Sequence, residues 1–265
     1  MMMPGSIKRK NGRICPACQD TGEKVKIKTK SNFKIFKCSK CGLEFVCPMP
    51  NSEQLRSFYQ DYSNFRAAEE VLILNAKKNI DRLLKFGLTR ERRLLDFGCG
   101  ANIFVSLGNS KRWFGYDYYK PTEKNMINNF IDQKWDFITM WGVLEHLTDP
   151  KCQITQLAQT LNPGGIMALT TVTTESAIPF QYKPPEHVTY WTKKAIKSLF
   201  SSVGLTILEY ENYKMIQRSD IYLNCVMRTV PKKFQRQISH SLPDFIEVPT
   251  NEIFVVCVKK DTGNS

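Results

Sequence analysis

The chain has 265 residues, 42% of them hydrophobic and 24% charged, with a formal net charge of +13. This is globular composition with enough apolar material for a full core, and it excludes wholesale disorder and dependence on disulfide staples. Apolar runs such as Val71-Leu72-Ile73-Leu74 are too short to span a bilayer, and Met1-Met2-Met3-Pro4 followed by Lys8-Arg9-Lys10 lacks the apolar stretch of a secretory signal, so a cytoplasmic location is expected.

Residues 1–50 form the first expected unit. They carry eleven Lys/Arg against three Asp/Glu, whereas the remaining residues carry twenty-seven against twenty-two. The basic excess sits at the N-terminal end, where it suits an anionic partner (nucleic acid, a phosphorylated sugar, a membrane surface) or simply makes a solvated face. Cys15-x2-Cys18 and Cys38-x2-Cys41 are two knuckles nineteen residues apart. Such a pair matches a tetrahedral Cys₄ zinc site, structural because thiolates fill every position. Alternation over 24–37 predicts a hairpin between the knuckles, and Cys47 fits neither.

Residues 51–88 read as a helical linker or cap. Ser52-Glu53-Gln54 opens a helix with Leu55, Phe58, Tyr59 and Tyr62 at helical spacing, and a longer helix is expected over about 67–86, stopped by Gly87. From 89 to 265 strands and helices alternate, which predicts an α/β fold with a mostly parallel sheet. Leu94-Leu95-Asp96-Phe97 is a buried strand ended by Gly98-Cys99-Gly100, with a brief helix at about 102–109. Strands follow at 112–117 and 135–141. Asp149-Pro150 starts a helix, and Asn162-Pro163-Gly164-Gly165 leads into a strand over 166–172. Thr192 caps a further helix. Two late strands, about 205–211 and 252–258, flank a stretch expected to be irregular.

The strand–Gly-x-Gly–helix turn allows a ligand close to the backbone. A nicotinamide dinucleotide is disfavoured, because Ile103 replaces the third glycine and Asp96 would oppose a pyrophosphate. A ligand with a cationic end suits the turn better, and Asp117 at the next strand end can accept ribose hydroxyls.

LLDFGCGAN, GYD, WDFITMWGVLEHLTDP, LNPGGIMALTT and PEHVTYWTKKAIKSLFSSVGL, taken in order, resemble the landmarks of a class I S-adenosylmethionine-dependent methyltransferase. The preceding CPAC…CSKCGLEFVCPMP resembles the zinc-ribbon leader of a bacterial branch associated with glycan or metabolite modification. The resemblance implies a Rossmann-like domain that binds S-adenosylmethionine. Gly98 and Gly100 would lie against its methionine part, Asp96 would place its amino group and Asp117 would hold its ribose. Trp141 and Gly142 would line the methyl-donor pocket, and Asp132 would be the acid after a third strand shortened to about Met126–Phe130. Asn102 stands where the family usually has a third small residue. Glu145, His146 and His187 would face the acceptor, with His187 the expected base and His146 approaching the same cleft; His240 is expected to be silent. The acceptor expected is a small molecule, a sugar or a carrier-linked group. An RNA methyltransferase using the basic ribbon, and a non-catalytic adaptor with a decayed core, are the alternatives.

Overall fold

A computed structural model describes residues 14–30, 32–60, 68–118, 124–178, 181–226 and 242–260. Tyr62 and His240 lie outside these. The N-terminal part supplies β1 (Lys24–Lys30), β2 (Phe33–Cys38) and β3 (Glu44–Val46), an antiparallel meander in which β1 and β2 are the expected hairpin. Helices α1 (Ser52–Gln60) and α2 (Glu69–Leu84) follow. Then come β4 (Leu94–Phe97), α3 (Ile103–Gly108), β5 (Trp113–Tyr116), β6 (Trp135–Trp141) and a 3₁₀ turn at Leu144–His146. The chain continues as α4 (Pro150–Thr160), β7 (Leu161–Val172), β8 (Thr189–Tyr190) and α5 (Lys193–Ser201). It closes with β9 (Leu205–Arg218), α6 (Ser219–Val226) and β10 (Phe245–Lys259).

The central sheet has the order β5-β4-β6-β7-β10-β9. The four strands from β5 to β7 are parallel, while β10 runs antiparallel to both β7 and β9. The fold is therefore mixed α/β and Rossmann-like, with helices on both faces. Alternation along the strands splits the core. Leu95, Ile138, Met140, Met167 and Val255 face α4 and α5; Leu94, Phe137, Ala168, Phe254 and Val256 face α2 and α3.

Two expectations need correction. The third strand is shorter than Met126–Phe130: Met126 makes a single parallel bridge to Gly115. The late strands are much longer than 205–211 and 252–258, because β9 and β10 pair from Leu205↔Lys259 to Arg218↔Phe245. Their outer halves carry charged and polar side chains that hide the strand period, and backbone pairing holds them together.

The N-terminal strands do not stand apart. Glu44 pairs with Tyr190 and Phe45 with Thr189, so β8 of the α/β part becomes the fourth strand of the N-terminal sheet.

Candidate active site

Parallel strands end at one edge, and there the β4–α3 turn forms. Gly98 and Gly100 adopt positive φ of 76° and 53°. The two glycines serve different needs. A Cβ on Gly98 would come within 2.6 Å of Val143, so that position admits the chain after β6; a Cβ on Gly100 would meet nothing within 4 Å. The open backbone of the turn is therefore at Gly100. Its N–H donates to Asp117 Oδ2 at 3.0 Å, tying the end of β5 to the turn. Asp96 is buried on β4, and its Oδ1 accepts from Thr139 Oγ1 at 2.7 Å. Burial pushes its carboxyl up to about 7; the Thr139 bond opposes that shift and the Asp117 charge adds to it.

Asn102 takes the left-handed conformation at φ 56° and turns its side chain inward. Its Nδ2 donates to the Lys124 carbonyl at 3.1 Å, and its Oδ1 lies over Gly115, where a side chain on that glycine would collide with it. The amide is directed under β5, so it does not crowd the space in front of Gly100. Trp141 ends β6 with its ring against Phe104 and parallel to Phe254, while Gly142, at φ 63°, donates its N–H to Thr170 Oγ1 at 3.0 Å. Asp132 is not brought to this edge. It lies just ahead of β6 on an exposed turn, bonded to Asn129, and its neighbour Gln133 is bonded to Arg93 at the start of β4. That is the opposite end of the strands.

The 3₁₀ turn after β6 and the loop before β8 bring Glu145, His146 and His187 together. The two imidazoles meet edge to face with centroids 4.9 Å apart. His146 Nδ1 lies 2.8 Å from both the Glu186 carbonyl and the Tyr59 hydroxyl. Glu145 is buried and its Oε2 accepts from Thr171 Oγ1 at 2.8 Å; burial pushes it up to about 7. Burial lowers His146, and burial together with the His146 and Lys183 charges lowers His187 to about 3. His187 lines a cavity of 310 Å³ with Gln181, Lys183, Tyr190 and Glu252. A larger open groove of 530 Å³ lies by α2 and β9, where Lys78 pairs with Glu247 and Arg82 with Glu209. Tyr59, Thr171, Glu186 and Glu252 were not legible as site residues. Tyr59 looked like one more apolar-face position of a helix, and Glu252 like an ordinary strand residue.

The four expected cysteines converge. Cys15 and Cys41 Sγ are 3.6 Å apart, and Cys18 and Cys38 Sγ 3.7 Å. Sulfurs about 2.3 Å from a tetrahedral zinc lie about 3.8 Å from each other, so the donor set fits that ion. The cluster touches the site's scaffold: Thr192 Oγ1 donates to the Cys41 carbonyl at 2.9 Å while capping α5.

The model of a methyltransferase-domain family matches residues 67–210. No curated protein matches the chain. Among solved structures it is similar to the Burkholderia thailandensis 1,6-didemethyltoxoflavin-N1-methyltransferase with bound 1,6-didemethyltoxoflavin and S-adenosylhomocysteine, at 13% identity and TM-score 0.52, over 89% of this chain and 100% of that one. It is also similar to the 4+2 cyclase SpnF, at 15% identity and TM-score 0.52, over 80% of this chain and 98% of that one. At such identities the likeness is one of fold, and the same fold carries different chemistries.

Proposed function

Because the chain belongs to the methyltransferase-domain family, we propose that it transfers the methyl group of S-adenosylmethionine to a small-molecule or glycan-type acceptor. The observation that carries this reading is the joined surface of Gly100 and Asp117. An open backbone turn and a strand-end carboxylate are bonded to each other at 3.0 Å. Gly98 and Gly100 shape the turn for the methionine part, Asp117 takes the ribose hydroxyls, and Gly142 with Trp141 bounds the methyl-donor side. Asp96 suits the amino group: it is a buried acid with no ion-pair partner among the described residues, so a cationic ligand compensates it. Asp132 has no part in this assignment.

The cofactor supplies an electrophilic methyl. The chain's own residues align the acceptor and exclude water. The acceptor belongs in the cavity lined by His187, Lys183 and Glu252, because Glu145 connects that cavity to the donor side; its Oε1 lies 3.7 Å from where a Gly142 Cβ would be. His187, His146 and Glu145 are the groups beside the reacting acceptor atom. Cys15, Cys18, Cys38 and Cys41 hold structural zinc.

Calorimetric titration with S-adenosylhomocysteine is the test. Wild type should bind, and Asp117→Ala should lose roughly tenfold or more, since a charge-assisted hydrogen bond contributes about 1.5–3 kcal/mol. No binding to wild type at millimolar ligand would leave the non-catalytic adaptor. An RNA acceptor is favoured only by the exposed lysines of β1, Lys26, Lys28 and Lys30. Salt-sensitive RNA retention that Lys-to-Ala changes on β1 abolish would establish it.

A further inference from the structure

We infer that Glu145, His146 and His187 form a second metal site, for a divalent zinc-type ion, distinct from the cysteine cluster. One ligand atom from each of the three residues lies within 4.8 Å of the others. Nitrogen and oxygen ligands of a tetrahedral ion at about 2.0–2.1 Å lie about 3.4 Å apart, so binding draws the three ligand atoms closer by side-chain rotation.

The outer partners point the same way. A carbonyl oxygen only accepts, so the 2.8 Å contact with Glu186 puts the proton of His146 on Nδ1 and leaves the Nε2 lone pair available to a metal. Ligating histidines are commonly oriented by such a bond from the other ring nitrogen. Thr171 Oγ1 fixes Glu145 through Oε2. The Val188 N–H donates to the Glu145 carbonyl at 2.8 Å and Thr189 Oγ1 to the Leu144 carbonyl at 3.3 Å, so the turn and the loop hold the three ligands in register.

The surrounding charge favours a cation. Glu186 Oε1 lies 3.7 Å from His187 Nε2 and Glu252 lines the same cavity, against the single ammonium of Lys183. Two imidazoles and one carboxylate suit zinc, iron(II) or cobalt(II) better than magnesium or calcium. Three protein ligands leave a position open, and His187 already lines the 310 Å³ cavity. An acceptor hydroxyl or carboxylate is the group that position takes. This last step rests on the proposed methyl transfer; the metal site itself does not.

The test uses full-length protein with its cysteine cluster loaded with zinc, titrated with cobalt(II). One further equivalent should bind, with visible d–d bands and without the thiolate-to-cobalt charge transfer that a cysteine site gives. Thr171→Val, which keeps the side-chain shape, should weaken cobalt binding about tenfold or more. Glu145→Gln and His187→Asn should abolish it. S-adenosylhomocysteine affinity, measured on the same samples, reports whether the variants remain folded. Wild type that binds the nucleoside but no further cobalt, or cobalt binding unchanged in both ligand variants, overturns the metal site alone. Failure of wild type to bind the nucleoside overturns the methyltransferase reading, whatever the cobalt result.

Discussion

Asp96 shows how one buried group sets a pH response. Its carboxyl moves from an ordinary 3.8 to about 7, burial being the main cause. The folded state therefore holds the proton more tightly than the unfolded chain does. The associated stability is fully present below about pH 3.8 and is lost as pH rises through about 7. The ligand-free protein should lose more melting temperature between about pH 5 and pH 8 than Asp96→Asn does, because the amide does not ionise. Equal losses in the two proteins would mean that Asp96 is not the titrating group. A cationic cofactor beside Asp96 favours its ionised form, so S-adenosylmethionine should recover much of the loss.

Among the elements, β8 matters beyond its two residues. It is paired to β3 on the N-terminal side, it starts two residues after His187, and it leads into Thr192, which bonds the Cys41 carbonyl. Tyr182 Oη also donates to Glu44 Oε2 at 2.6 Å. The second cysteine knuckle and the His187 loop are thus two sides of one small sheet. Zinc should copurify at about one equivalent per chain in the cysteine cluster, and the Cys38→Ser, Cys41→Ser double variant should lose it. Hydrogen exchange should then quicken at 187–192 as well as within β1–β3. Unchanged zinc content in that variant would remove the cysteine assignment; quickening confined to 14–46 would remove the coupling.

For the whole molecule, the decisive feature is the continuity of one core. Cys15, Phe36, Cys41 and Phe45 belong to the same buried cluster as Leu95, Met140, Leu199 and Val255. The described residues of 14–50 are too few for a full core of their own and depend on the surface they cover. The zinc-loaded protein should therefore melt in one transition, with helix loss followed by circular dichroism and metal release followed by a chromogenic chelator having the same midpoint. Two separated midpoints would show a ribbon that folds independently.

Much of this was legible from sequence because it is local. The two cysteine knuckles, the β4 strand with its glycine turn, the Asp149-Pro150 and Thr192 helix starts and the His146 and His187 motifs are all spacings along the chain, set by backbone geometry and ligand reach. Tertiary structure decided what depends on pairing between distant segments. It lengthened β9 and β10 into a ladder that their side-chain pattern does not announce, and it placed Asp132 at the wrong end of the strands for the site. It turned Asn102 under β5, and it brought Tyr59, Thr171 and Glu252 to a cluster that no local spacing marks. Strand register and loop packing are fixed by the sum of many long-range contacts, and no single stretch of sequence contains that sum.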